Sequence, residues 1–140
     1  MSLYFDTSAL VPAYVPESRT EKATAFLAET ETVHVSRLTE VEFHSALALK
    51  FRAGQMRRKD AEHVAKIFSD HLASGVYARL QVPGEVFDLS LSYLRRFTTS
   101  LRALDALHLA CCGHYSLVLL TADKEMAKSA KSLGIRCELI

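Results

Sequence analysis

Four carboxylates lie at the ends of apparent strands or on inward-looking helix surfaces. They are Asp6 in LYFDTSAL, Glu42 in LTEVEFHSAL, Asp105 in LRALDALHLA and Asp123 in LLTADKEM. Leu3, Tyr4 and Phe5 run straight into Asp6, so a buried strand delivers a charge to its own end. Glu42 has Leu38, Ser45, Ala46 and Leu49 at helical spacing, which sets it along an apolar stripe. Glu40, two positions away, points elsewhere. Each acid alone has a plain structural use. Asp6 and Asp123 can cap following helices. Asp105 can sit favourably in a helix's first turn, and Glu42 can reach solvent from the margin of its stripe.

Together the four are harder to dismiss. Two unit charges ~5 Å apart repel by roughly 3 kcal/mol at an effective dielectric of 20. Gathering four carboxylates is costly unless a cation offsets the repulsion. Oxygen-only ligation suits Mg²⁺ or Mn²⁺ rather than zinc. The chemistry such a site supports is phosphoryl transfer, in which metal-activated water attacks and the metal stabilises the leaving oxygen.

Hydrophobic periodicity supplies the elements that must position these acids. SLYF, TVHV, ARLQV, SLVLLTAD and RCELI read as strands, the last at an edge. Helices are expected over ESRTEKATAFLAET, SRLTEVEFHSALALKF, AEHVAKIFSDHLASGV, EVFDLSLSYLRRF, ALDALHLACCGHY and KEMAKSAKSLG. Ser18 is a candidate N-cap with Glu21 three residues on, and Ser36 is a second start signal. The alternation predicts an α/β three-layer α/β/α sandwich with a mainly parallel sheet, a single domain over residues 1–140. Ligands of such sheets bind outside the carboxyl ends of the strands. Asp6 and Asp123 fall at two such ends.

Bulk composition bounds the rest. Hydrophobic residues make up 49% and charged residues 24% of 140, with a formal charge of +1. No global positive field marks a binder of anionic polymers, so any such contact uses a local patch. Mean hydropathy is slightly positive, +0.09, hinting at apolar surface covered by a partner. No apolar run approaches a membrane span and no signal-peptide layout opens the chain, so a cytoplasmic location is expected. Cys111, Cys112 and Cys137 are too few and too unevenly placed for a disulfide framework. A zinc site recruiting Cys111, Cys112, His108 and His114 is disfavoured, because adjacent helical residues point about 100° apart.

The chain resembles the PIN-domain family, most closely its VapC-type toxin branch. The resemblance rests on LYFDTSALV, LTEVEFHSAL, LRALDALHLA and LLTADKEMAKSAKSLGI in that order and covers nearly the whole chain. It implies that Asp6, Glu42, Asp105 and Asp123 form an acidic quartet holding one or two Mg²⁺ or Mn²⁺ ions for RNA cleavage. Thr7 or Ser8 matches the hydroxyl residue after the first acid, and Thr121 the one before the last. Met126 departs from the family, standing where an aromatic residue is frequent. The resemblance further implies an endoribonuclease leaving a 5′-phosphate and a 3′-hydroxyl, neutralised by a small antitoxin protein and commonly a homodimer. Asp6 is expected to bridge, on a strand central in the sheet.

Two basic groups offer a path for RNA phosphates. One comprises Lys50, Arg52, Arg57, Arg58 and Lys59, and the other Arg95, Arg96 and Arg102 ahead of Asp105. Solvated helix ends are the ordinary use of such residues. His108, one turn from Asp105, is within reach of the site, but its ordinary use is as a packed histidine bonded to backbone, and that is the reading taken. Leu10, Val11, Tyr14 and Phe26 serve either the core or a groove for an antitoxin helix.

Other functions fit less well. A receiver domain wants an acidic pair after an early strand, and no acid precedes Asp6. A haloacid-dehalogenase phosphatase needs a second aspartate where Ser8 stands. An RNA-processing nuclease without an antitoxin, or a degraded module that only binds RNA or protein, remains as an alternative.

Overall fold

The structure is a computed structural model describing residues 2–140. The first half of the chain forms β1 (Ser2–Phe5), α1 (Thr7–Leu10), α2 (Thr20–Glu29), β2 (Thr32–Ser36), α3 (Arg37–Arg52), α4 (Arg58–Ala73) and β3 (Ala78–Leu80). The second half forms α5 (Gly84–Leu94), α6 (Ala103–Tyr115), β4 (Val118–Thr121), α7 (Lys124–Ser132) and β5 (Cys137–Leu139). All strand pairs are parallel, in the order β3-β2-β1-β4-β5. The chain walks outward from β1 to β3, then recrosses to β4 on the other side. The order therefore reverses between β1 and β4, which is where crevices open in such sheets.

The two-residue period of β1 divides the core in two. Leu3 and Phe5 pack with Val33, Val35, Leu120, Phe43 and Phe68 beneath α1 to α4. Tyr4, between them, faces the other way, toward Leu109, Cys112 and Met126 of α6 and α7. Helices on both faces bury β1 and β4, which accordingly read as continuous apolar runs. The expected three-layer parallel fold is present, with β1 in the middle and β5 at an edge.

Several boundaries differ from the sequence expectation. Ser18 does not cap α2. That helix starts at Thr20 behind Arg19, and Arg19 makes no side-chain cap. A local turn stands ahead of the helix instead, Glu17 N–H donating to Thr20 Oγ1 at 2.8 Å and Arg19 N–H to Glu17 Oε1 at 2.6 Å. The helix that Asp6 caps is a single turn, followed by a 3-10 turn at Val11–Ala13, because Pro12 has no N–H to continue the ladder. Ser36 does start α3 through a capping box with Thr39. Leu10 and Val11 are core residues, with Tyr14 and Phe26 packed against that core, so the core use of these positions is the one observed. Gly113 lets α5 and α6 approach closely, since a Cβ there would meet Tyr93 Oη at 2.5 Å.

Candidate functional site

Asp6 is the first residue beyond β1, and its N–H donates to Leu120 O at 3.1 Å across the β1/β4 seam. That bond carries the parallel ladder past the end of the strand and seats the side chain at the switch point. The carboxylate is 5% exposed. Ser8 Oγ donates to its Oδ1 at 2.7 Å and Ala9 N–H to the same atom at 3.1 Å. Thr121 Oγ1 donates to Oδ2 at 2.6 Å. Burial pushes the Asp6 carboxyl above its ordinary value, and these donors together with the nearby His108 charge offset only part of the shift. An acid held this way lacks a full countercharge.

Glu42 approaches from α3 and is half-buried. Thr7 Oγ1 donates to its Oε1 at 3.1 Å, and His108 Nε2 bonds the same oxygen. Burial would raise the Glu42 carboxyl, but the His108 bond and charge and the Thr7 bond outweigh it and hold the group below its ordinary value. His108 is itself fixed from behind, its Nδ1 meeting Tyr4 Oη at 2.6 Å. Tyr4 Oη also lies 2.8 Å from Ser36 Oγ. The expectation of a backbone-bonded His108 is thus corrected: its partners are Tyr4 and Glu42. Tyr4 was missed as a site residue. The available signal was a tyrosine inside a wholly buried strand, whose hydroxyl needs a partner.

Asp105 lies in the first turn of α6, one turn before His108, and Oδ2 accepts from Arg102 N–H at 3.3 Å. Asp123 caps α7, its Oδ1 accepting from Glu125 and Met126 N–H at 2.9 and 3.2 Å. Asp123 N–H in turn donates to Thr121 Oγ1, the hydroxyl that holds Asp6. Met126 is buried beneath this cap in the second core. Asp6 and Asp123 are therefore linked through Thr121. Glu42 and Asp105 are related through His108, one bonded to it and the other on its helix. Thr7, Ser8 and Thr121, the three hydroxyl residues predicted to support the acids, each bond one of them.

Among the described residues, no group of three or more His, Cys, Asp or Glu side chains stands together as a metal cage. The donors around the seam are nonetheless hard oxygens, since both helix cysteines are turned into the core. Burial pushes the Cys111 thiol up to about 11. Mg²⁺ keeps several waters and binds through one or two carboxylates plus substrate phosphates rather than through an all-protein cage. The residues present fit that kind of ion and not a closed zinc or calcium site.

The basic groups differ in how free they are. Arg57 and Arg58 are exposed and paired along α4 with Asp60 at 2.8 Å and Glu62 at 2.9 Å. Arg95, Arg96 and Arg102 are exposed in the connection from α5 to α6, Arg96 lying over the Tyr93 ring at 5.9 Å. Glu40 is paired with Arg79 at 2.6 Å, away from Glu42.

A parallel α/β sheet with a buried carboxylate at its switch point defines the class of this molecule. Its family follows from comparison: residues 3–132 match the PIN domain, and the chain belongs to that family. PIN domains are typically metal-dependent nucleases. The chain is similar to Ribonuclease VapC3 of Pyrobaculum aerophilum, with 26% identity over 134 residues, 95% of this chain and 98% of that one. Its fold is shared with Mycobacterium tuberculosis VapC20, a sarcin-ricin loop cleaving toxin, at TM-score 0.70 and 18% identity, covering 91% and 94% of the two chains. It is shared also with a toxin-antitoxin complex from Klebsiella pneumoniae, at TM-score 0.61 and 18% identity, covering 89% of each chain.

Proposed function

We propose that this chain is a divalent-metal-dependent endoribonuclease, the toxin component of a toxin–antitoxin pair. The observation that carries this reading is Asp6: a buried, undercompensated carboxylate at the switch point, wired through Thr121 to the backbone that places Asp123. The VapC relative, named as a ribonuclease, and the toxin-antitoxin complex of like fold support the finer assignment.

Asp6, Glu42, Asp105 and Asp123 would hold Mg²⁺ or Mn²⁺, directly or through water. A divalent ion held there would supply charge neutralisation of the scissile phosphate and acidified water. The chain's own residues do the positioning. Ser8 and Thr121 fix both oxygens of Asp6, and Thr7 with His108 fixes one oxygen of Glu42. Tyr4 and Ser36 set the His108 ring, so Glu42 stays ionised and correctly turned. Arg95, Arg96 and Arg102 contribute phosphate contacts that position RNA without reading its sequence.

The test is Asp6→Asn. The amide preserves the size of the side chain, and the Thr121 hydroxyl can rotate to accept from it. RNA cleavage that EDTA abolishes in the parent chain should vanish in the variant while its circular dichroism is unchanged. Full cleavage by the folded variant would end the proposal. Co-purification with a small protein encoded beside it would extend the reading to the toxin role.

A further inference from the structure

Residues 95–102, RRFTTSLR, connect α5 to α6 with three arginines and no acid. At its centre Phe97 is 91% exposed. Its φ is 53°, a left-handed conformation that non-glycine residues, bulky ones above all, rarely adopt. Phe97 N–H donates to Leu94 O at 3.2 Å and Arg96 N–H to Tyr93 O at 3.3 Å, closing the end of α5. That closure explains the backbone, which glycine or asparagine would supply more cheaply. It does not explain the ring.

The loop is anchored beside the acids. Ser100 Oγ donates to Glu125 at 3.1 Å, two residues from Asp123, and Arg102 N–H donates to Asp105. Phe97 lies three residues before Ser100 and five before Arg102, in the loop that those two bonds tie to the acids, with Arg95 and Arg96 next to it in sequence. The outer face of α5 makes a contrast. Phe87 and Leu91 are 48% and 46% exposed there, but Glu85 and Asp88 accompany them, so a polyanion is repelled.

We propose that Phe97 is a stacking platform for an unpaired base of single-stranded RNA, with Arg95 and Arg96 engaging the flanking phosphates. The proposal rests on the reading of the rim as an RNA-cleaving site. An aromatic ring among cations is the combination that holds single strands, because every base offers a π-face. Base-paired RNA hides those faces, so the site discriminates against duplex.

The test measures binding of a single-stranded oligoribonucleotide carrying 2-aminopurine to the full chain in EDTA. Stacking quenches the fluorophore. Phe97→Ala and Phe97→Asn should abolish the quenching and weaken binding about 5- to 150-fold. Phe97→Trp should retain both. Asparagine accepts the left-handed backbone, so its loss of binding cannot be ascribed to a broken loop. The salt dependence should be unchanged in Phe97→Ala and reduced by a slope of about one in Arg96→Ala. Unchanged affinity and quenching in Phe97→Ala and Phe97→Asn would overturn the proposal. So would a change of oligomeric state in those variants with RNA binding intact, which would give the ring to a second copy of the chain. If Asp6→Asn still cleaves while the Phe97 variants lose quenching, the assignment of cleavage to the Asp6 rim fails and the platform stands. Asp6-dependent cleavage with indifferent Phe97 variants would have the reverse meaning.

Discussion

Two tyrosine–histidine pairs stand at opposite ends of the strands. At the carboxyl ends, Tyr4 Oη meets His108 Nδ1 at 2.6 Å, and His108 passes the contact on to Glu42. Near the amino ends, Tyr14 Oη meets His71 Nδ1 and Tyr77 Oη, both at 2.5 Å. The second set lines a cavity of about 390 Å³ with Val33 and Val76. The motif is the same, but the first relay leads to a carboxylate at the crevice and the second joins tyrosine to tyrosine over an apolar pocket. The difference teaches which of two similar networks concerns chemistry. A histidine that turns an acid affects what that acid holds, whereas one that bonds only the Tyr14 hydroxyl over an apolar pocket affects the packing of β3 and α4.

The largest expected effect falls on the acid that the first relay surrounds. Asp6→Asn should remove all EDTA-sensitive cleavage and should raise the melting temperature, because burial disfavours its ionised form. A comparable loss of cleavage in a Tyr14 or His71 variant would break the contrast between the two ends.

Next come the histidines themselves. His108→Ala removes a buried ring, leaves the Tyr4 hydroxyl with Ser36 and leaves Glu42 with Thr7 alone, so a destabilisation of about 2 kcal/mol is expected. Cleavage by the folded fraction should fall about 10- to 100-fold, the usual cost of losing a group that orients a metal ligand. His71→Ala should cost about 1 kcal/mol and leave cleavage unchanged. Urea unfolding beside initial rates separates the two effects.

Tyrosine hydroxyls give a smaller version of the same comparison. Tyr4 is fully buried, whereas Tyr14 only packs against the core. Tyr4→Phe should cost about 2 kcal/mol and slow cleavage severalfold, against about 1 kcal/mol and no kinetic effect for Tyr14→Phe. Equal kinetic effects would show that the Tyr4 relay does not orient Glu42.

The sequence made one of these networks half visible. Asp6 and Asp123 were legible because continuous apolar runs ended on them, and parallel sheets put such ends at the crevice. Glu42 was legible from helical spacing that set an acid in an apolar stripe. The relay between Tyr4 and His108 was not, since 104 residues separate the partners and only the packing of α6 on β1 joins them. His108 therefore looked like any core histidine seeking a carbonyl. Ser18 misled for a local reason: a good cap residue lost to a turn formed by Glu17 and Thr20. Phe97 carried no signal at all, because its exposure and left-handed backbone are properties of how α5 ends.

The smallest effect is a dependence on pH in which the two acids of the crevice oppose each other. Glu42 is held below its ordinary value, so its contribution to stability is complete above a pKa of about 4.3 and is lost as pH falls through the lower folded value. Asp6 is raised, so its ionisation costs stability at neutral pH, and that cost disappears as pH falls from the folded value to below about 3.9. Glu42→Gln should therefore be about 1 kcal/mol less stable at pH 7 and converge with the parent in acid. Asp6→Asn should begin more stable and converge from the opposite side. Chemical unfolding at pH 7, 5 and about 3.5 reads both trends, since at the last value the Asp6 cost is gone and the Glu42 contribution has begun to fall. Parallel curves for the two variants would mean that His108 does not hold Glu42 in its charged form, and the distinction between the two histidines would lose its electrostatic basis.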